Sequence, residues 1–87
     1  MIEVFFTSAF VRAVKALPED LFEQTLKKIE LFKNKTNHSI LDVHKLHGKL
    51  SNCWSFSVNY GYRVVFEYIG KGKVLFHNIG NHKVYRT

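Results

Sequence analysis

The sequence has few of the residues that would cross-link a small protein or carry it through a membrane. It contains one cysteine, Cys53, among 87 residues, which excludes an internal disulfide and suits a reducing cytoplasm. No apolar run is long enough to span a membrane. The opening MIEVFF lacks a basic region followed by a long apolar run, so it predicts a strand rather than a signal peptide. We therefore expect a cytoplasmic protein.

Acidic residues are also scarce. The chain has 7 Asp and Glu against 13 Lys and Arg, a formal charge of +6. A positive field favours nucleic acid or an acidic protein as the partner, and the alternative is a basic protein that binds no polyanion. The composition is 46% hydrophobic and 15% aromatic, enough for one core. Without repeats, low-complexity segments or linkers, residues 1–87 are expected to form one domain.

Apolar periodicity predicts two helices in the first half of the chain. A short strand over residues 2–6 comes first, and Thr7 or Ser8 can cap a helix from 9 to about 17. Pro18 ends this helix and can begin the next one, which extends to about residue 34. The apolar stripes consist of Phe10, Val14 and Leu17 in the first helix and Leu21, Phe22, Leu26, Ile29 and Phe32 in the second.

A strand hairpin over residues 50–69 dominates the second half. Trp54, Phe56 and Val58 alternate with polar residues, residues 59–61 form a turn, and residues 62–69 form a largely apolar strand. Residues 40–50 are expected to be irregular, and a last strand covers 74–79. The order β-α-α-β-β-β predicts an α+β fold, with a two-helix hairpin packed on one face of a mainly antiparallel sheet. Polar residues should line the other, open face: Ser55, Ser57, Arg63 and His77.

Arg63 is a charged residue in an otherwise apolar strand. It could bind a phosphate through its two-pronged guanidinium or stabilise charge during phosphoryl transfer. Equally, it could form an ion pair with Glu67, four residues along the same strand face, or with an acidic residue elsewhere. The sequence leaves both interpretations open.

His44 and His47 form an H-x-x-H pattern, which is a weak metal signal. Cys53 and the distant acids do not complete a zinc ligand set, so neither a metal nor another cofactor is expected. A histidine serving as general base or acid is the better use, and a partly exposed structural histidine is the alternative. Cys53 itself has no neighbouring base and is expected to be a small buried residue. We expect a structural role for His77.

The chain ends in a basic, aromatic segment. Tyrosine and histidine can stack on an unpaired base, and lysine and arginine can hold phosphates. The alternative is a solvated basic end with its tyrosine packed on the sheet. The residues concerned are His82, Lys83, Tyr85 and Arg86.

The segment LSNCWSFSVNYGYRVVFEY, residues 50–68, closely resembles the RelE/ParE superfamily of bacterial toxins from toxin–antitoxin pairs. The spacing from Trp54-Ser55 to Arg63 is most similar to the YoeB branch. The segments HKLHGKL (44–50) and IGNHKVYR (79–86) are similar to the YafQ and wider RelE branches. The specific motifs cover residues 44–86, while the element order agrees along the whole chain.

The resemblance implies a compact toxin that cleaves messenger RNA in the ribosomal A site without a metal, and an acidic antitoxin that wraps it and blocks the site. Arg63 matches the sheet arginine that binds phosphate. His44 falls where the YoeB branch has a catalytic glutamate and the YafQ branch a histidine, which makes it the candidate base. His82 matches the candidate acid, and Tyr85 the aromatic residue that orients the substrate base. Weaker candidates for RNA contacts are Lys45, Lys49, Lys83 and Arg86.

The sequence departs from the family pattern at two places. Many members have Arg or Lys on the tryptophan-containing strand, where this chain has Ser55, Phe56 and Ser57. The ending is one residue shorter than common forms. Two alternatives to a nuclease therefore remain: a toxin of the ParE type, which inhibits DNA gyrase and cleaves nothing itself, and a non-toxic relative.

Overall fold

A mixed sheet with two helices on one face forms the frame of the molecule. The computed structural model describes residues 1–59 and 61–81. In that part of the chain the helices are α1 (Ser8–Lys15) and α2 (Glu19–Phe32), and the strands are β1 (Glu3–Phe6), β2 (His44–Lys45), β3 (Trp54–Ser57), β4 (Arg63–Gly70) and β5 (Lys73–Gly80). The strand order is β1-β5-β4-β3-β2, with β1 parallel to β5 and the other pairs antiparallel. The predicted α+β fold class is confirmed.

The core lies between the helices and one face of the sheet. Alternate residues of β3, β4 and β5 enter it because side chains of a strand point to opposite faces in turn. Phe32 at the end of α2 is fully buried and stacks on Phe56 of β3, with 4.7 Å between ring centroids. Its ring also meets Phe66 and Phe76 edge-on. This aromatic cluster fixes α2 against the middle of the sheet.

Thr7 begins helix α1 and fastens it to the sheet, as the predicted cap position allows. Its Oγ1 accepts a hydrogen bond from the Phe10 N–H at 3.0 Å and donates one to the His77 carbonyl at 2.8 Å. One side chain therefore satisfies a free N–H at the helix start and joins the helix to β5.

Helix α2 differs from the predicted stripe at one position. Leu26 is 47% exposed, and Thr25 is fully buried in its place. Thr25 can face the sheet because its hydroxyl donates to the Leu21 carbonyl at 2.8 Å, so burial leaves no unpaired donor. The helices also end earlier than predicted, α1 at Lys15 and α2 at Phe32. No helix of the described residues is long and apolar enough to cross a membrane.

The segment expected to be irregular contains strand β2. His44 and Lys45 pair antiparallel with Ser55 and Trp54, and the Leu46 N–H bonds to the Cys53 carbonyl at 2.9 Å. A strand of two residues has no periodic pattern of its own, so pairing with β3 defines it. Between β2 and β3 the chain forms a loop that contains a 3-10 turn at Gly48–Leu50.

Candidate active site

The sheet face turned away from the helices, here called the outer face, carries the polar residues of interest. Val64 and Phe66 of β4 enter the core, so Arg63, Val65 and Glu67 point to the outer face. The register places Arg63 opposite Ser57 of β3 on one side and Gly80 of β5 on the other. One step along, His44, Ser55, Val65 and Asn78 form a row across four strands.

This face is less open than the sequence suggested. Ser55 is 0% exposed, and Val65 is buried although it lies outside the helix-facing core. His44 of β2 lies beside Ser55, and Lys49, Leu50, Asn52 and Cys53 line a groove together with Val65. The predicted polar residues do line the face, but the exposed part begins beside Ser57 and Arg63.

Arg63 has an acidic partner, and that partner is not Glu67. Its Nη2 donates to Asp42 Oδ2 at 3.0 Å. Nη1 is buried and has no hydrogen-bond partner among residues 1–59 and 61–81. The Arg63 side chain remains 29% exposed. The guanidinium is therefore tied at Nη2 and unpaired at the buried Nη1, and a ligand that brings oxygen atoms would meet the part of the side chain that stays exposed.

Asp42 is the residue that the sequence reasoning missed. It sits in the turn before β2, where the Leu41 carbonyl accepts a bond from the Ser57 N–H at 2.7 Å. Because Ser57 lies opposite Arg63, this bond brings Asp42 to the arginine. The available signal was indirect: Arg63 required an acidic partner, and an acid outside its own strand was one of the open alternatives.

His44 lies on the same face and contacts Asp42 as well. Its Nδ1 is 3.0 Å from the Asp42 carbonyl oxygen and 3.8 Å from the Asp42 carboxylate. Its Nε2 is 3.5 Å from the Ser55 hydroxyl, the long limit of a hydrogen bond. Since a carbonyl only accepts, Nδ1 carries a proton in this arrangement, which leaves Nε2 as the ring's acceptor. The structure thus brings His44 and Arg63 together around Asp42.

The two candidate lysines are placed differently. Lys45 is exposed, and alternation along β2 puts it on the side opposite His44. Lys49 is exposed at the rim of a groove on the outer face. Neither lysine forms an ion pair with another residue of the described part of the chain. Lys49 is therefore the better placed of the two for a contact made on the outer face.

The groove beside this site has a volume of about 420 Å³. Val65 and Leu50 give it apolar walls, while the remaining lining is polar: Lys49, Asn52, Cys53, Glu67, His77 and Asn78. Glu67 Oε1 lies 2.9 Å from His77 Nε2 within the groove, so the acid that was one predicted partner of Arg63 is bound to His77 instead. The groove adjoins Arg63 along β4.

Cys53 is a weak nucleophile in this position. Burial raises the pKa of its thiol above the ordinary value of 9.0, and the charge of Glu67 raises it further. A raised pKa lowers the fraction of reactive thiolate at neutral pH. Burial likewise raises the pKa of Tyr68 above its ordinary value of 10.0. Among the described residues, no three His, Cys, Asp or Glu side chains form a group that could hold a metal ion.

Four of the predicted site residues, His82, Lys83, Tyr85 and Arg86, lie outside the described residues. Their roles stay predictions. The described chain ends at Asn81, one residue after Gly80, which pairs with Arg63.

Comparison with known proteins shows similarity of fold rather than of sequence. No family model matches the chain, and no curated protein matches it significantly. Among solved structures, RelE in a RelE–RelB complex from Pyrococcus horikoshii is 18% identical, with a TM-score of 0.72 over 92% of this chain and 93% of that one. A YoeB/ParE toxin from Agrobacterium tumefaciens is 15% identical, with a TM-score of 0.75 over 93% and 99%.

Further similar structures are toxins in complex with their antitoxins. The YoeB–YefM toxin–antitoxin complex from Staphylococcus aureus is 14% identical, with a TM-score of 0.72 over 94% of this chain and 98% of that one. The DinJ–YafQ complex from E. coli contains a match at 13% identity, with a TM-score of 0.72 over 97% of both chains. The resemblance read from the sequence is thus confirmed at the level of architecture: the chain has the fold of the RelE, YoeB and YafQ toxins.

Proposed function

We propose that this chain is the toxin of a type II toxin–antitoxin pair and an endoribonuclease that cleaves messenger RNA, most readily in the ribosomal A site. One observation carries the proposal. An arginine tied to Asp42 through Nη2 and a histidine whose Nε2 has only a long, 3.5 Å contact with the Ser55 hydroxyl meet on one sheet face, around Asp42. These groups are what internal phosphoryl transfer in RNA needs: a base, and a cation for the phosphate.

The proposed reaction needs no oxidant, reductant or metal. His44 Nε2 takes the proton of a ribose 2′-hydroxyl, and the resulting oxygen attacks the adjacent phosphorus. The P–O5′ bond breaks as the new P–O2′ bond forms, giving a 2′,3′-cyclic phosphate and a 5′-hydroxyl. Arg63 stabilises the charge that develops on the non-bridging oxygens. The departing O5′ takes a proton from an acid, for which His82 is the candidate that the resemblance supplies.

The partners follow from charge and from the fold. The formal charge of +6 suits both RNA and an acidic antitoxin. We therefore propose a cognate antitoxin that covers the outer face. Residues 1–87 would act as one toxin domain in the cytoplasm.

Expression in bacteria without an antitoxin tests this function. Growth arrest together with new transcript ends inside translated codons is the expected result. Arg63→Ala and His44→Gln should abolish both effects. Lys15→Ala is the matched control, because it removes one positive charge from an exposed position on α1 without touching the outer face. Arrest and cleavage that persist in Arg63→Ala would refute the assignment of the site.

A toxin of the ParE type, which inhibits gyrase, is the second candidate. The observation that favours it is the outer face of β3, where the outward positions are the buried Ser55 and the half-buried Ser57 and neither is a cation. An active site with fewer positive charges holds the transition state less strongly. Arrest with DNA damage and intact transcripts would select this candidate. Absence of arrest would leave a non-toxic relative with the same fold.

A further inference from the structure

Backbone hydrogen bonds fix the position of Asp42 in the turn before β2. Its own N–H bonds to the Ser39 carbonyl, and the next N–H, of Val43, bonds to the His38 carbonyl. Leu41, directly before it, is almost fully buried and is bonded through its carbonyl to Ser57. The turn is thus fixed on both sides of Asp42, so the side chain is delivered to one place at the outer face.

The backbone of Asp42 is left-handed, with φ at 54°. It is the one residue other than glycine with a positive φ among residues 1–59 and 61–81. Glycine adopts this conformation at the least cost, and aspartate and asparagine tolerate it better than most other residues. A glycine would therefore satisfy the turn, whereas an aspartate adds a carboxylate. The contacts of this carboxylate therefore indicate the role of Asp42.

Asp42 contacts both proposed catalytic side chains with different groups. The carboxylate accepts from Arg63 Nη2 at 3.0 Å, and the carbonyl oxygen lies 3.0 Å from His44 Nδ1. The carboxylate is 62% exposed, so the ion pair contributes little to folding stability. Its geometric effect is larger. A guanidinium tied through Nη2 loses rotational freedom, so the orientation of its plane is fixed.

We infer that Asp42 is a positioning residue of the proposed nuclease site: its carboxylate orients the Arg63 guanidinium, and its carbonyl keeps the proton of His44 on Nδ1. The inference rests on the proposed function for its catalytic consequence. Its structural content, an ordered Arg63 and one tautomer of His44, can be measured without any reaction.

Asp42→Asn separates the two contacts. Asparagine tolerates the left-handed backbone and keeps the carbonyl, so the turn and the His44 contact remain. The variant loses the negative charge that holds Arg63, and its amide oxygen can accept only a weaker, neutral hydrogen bond from Nη2. We expect kcat for cleavage of ribosome-bound RNA to fall about tenfold to hundredfold, since misplacing a catalytic group by about 1 Å has effects of this size. KM should stay unchanged or fall, because a negative charge beside the phosphate site has been removed.

The direction of these changes distinguishes the inference from its alternatives. If Asp42 merely competes with phosphate for Arg63, Asp42→Asn raises kcat/KM through both parameters, and the inference is wrong. If Asp42 only braces the fold, kcat per folded molecule stays constant, and the inference is wrong again. Asp20→Asn, at an exposed position in the first turn of α2, is the matched control and should change neither parameter.

A double-mutant cycle tests whether Asp42 acts through Arg63. In an Arg63→Lys background, Asp42→Asn should have at most about a twofold effect on kcat, since the group to be oriented is already lost. Independent, additive effects of the two substitutions would contradict the inference.

Nitrogen NMR of the free protein gives the readout that needs no RNA cleavage. We expect slowly exchanging guanidinium signals from Arg63 in the wild type and their loss in Asp42→Asn. The ring nitrogen shifts of His44 should report a proton on Nδ1 in both proteins. A wild type with a freely rotating Arg63 guanidinium refutes the inference even if RNA is cleaved. A wild type with an ordered guanidinium that cleaves no RNA refutes the proposed function and leaves the placement of Arg63 by Asp42 standing.

Discussion

Glu67 Oε1 lies 2.9 Å from His77 Nε2, so the acid four residues along the strand from Arg63 is already paired within its own groove. This pairing separates two charge clusters on the outer face. Arg63 has Asp42 as its partner, and Glu67 has His77. The arginine therefore faces one carboxylate rather than two, and an anion that binds it has to compete with Asp42 alone among the described residues.

Arg63→Lys tests whether the shape of the guanidinium matters as well as its charge. A lysine cannot bind Asp42 and a phosphate through a planar fork, so we expect cleavage of ribosome-bound RNA to slow by about 100-fold. The measurement is the single-turnover rate of the purified variant. Arg12→Lys, the same substitution at an exposed position on α1, is the control and should leave the rate unchanged. Equal rates for wild type and Arg63→Lys would assign Arg63 a purely electrostatic role.

Phe32→Ala should remove much of the stability of the fold. The ring is fully buried among aromatic rings of the sheet, so its loss creates a cavity and is expected to cost about 3–5 kcal/mol in the free energy of unfolding. Leu26→Ala on the same helix should cost less than about 1 kcal/mol, because that side chain is half exposed. Denaturant unfolding of both variants measures the difference. Similar losses for the two would contradict the assignment of Thr25 and Phe32 to the buried side of α2.

Thr7→Ala should weaken the junction between α1 and β5. The substitution deletes both bonds of the hydroxyl, to the Phe10 N–H and to the His77 carbonyl, at an expected cost of about 1–2 kcal/mol. Thr7→Ser keeps the hydroxyl and should recover most of that loss. Thermal unfolding of the three proteins provides the test. A serine variant as unstable as the alanine variant would show that the methyl group, rather than the hydrogen bonds, matters at this position.

Cys53 should react slowly with alkylating reagents, and its reactivity should depend on Glu67. Burial and the Glu67 charge raise the pKa of the thiol above 9.0, so the thiolate that reacts with iodoacetamide is scarce at neutral pH. Replacing Glu67 by glutamine removes one cause, which lowers that pKa and speeds alkylation. The pH dependence of the alkylation rate should move toward lower pH in Glu67→Gln. Glu30→Gln, an exposed acid on α2, is the control and should leave the profile in place.

Local patterns in the sequence predicted the helices and strands in which buried residues recur at a regular spacing. The alternation of Trp54, Phe56 and Val58 and the helical spacing of Phe10 and Val14 each reflect one buried face, and the structure has a strand and a helix at these places. The parallel pairing of β1 with β5 joins distant parts of the chain, and β2 is too short to repeat. Neither leaves a periodic signal, so neither was predicted.

For the same reason, only part of the candidate site could be predicted from the sequence. Arg63 and His44 were noticed because each is conspicuous in its own segment. Asp42 acquires its role through the bond from Ser57 to Leu41, a contact between distant segments that no local pattern contains. Thr25 likewise takes the buried position of Leu26 because a hydroxyl can be satisfied within its own helix.

The parallel pairing of β1 with β5 determines when the sheet can be completed during synthesis of the chain. The hydroxyl of Thr7 bonds to the His77 carbonyl across a sequence separation of 70 residues. Because the ribosome synthesises the chain from its amino end, β1 and the start of α1 cannot bond to β5 until β5 has emerged. Gly80, which flanks Arg63, arrives later still. A nascent chain from which Gly80 has not yet emerged therefore lacks one of the two strands that flank Arg63.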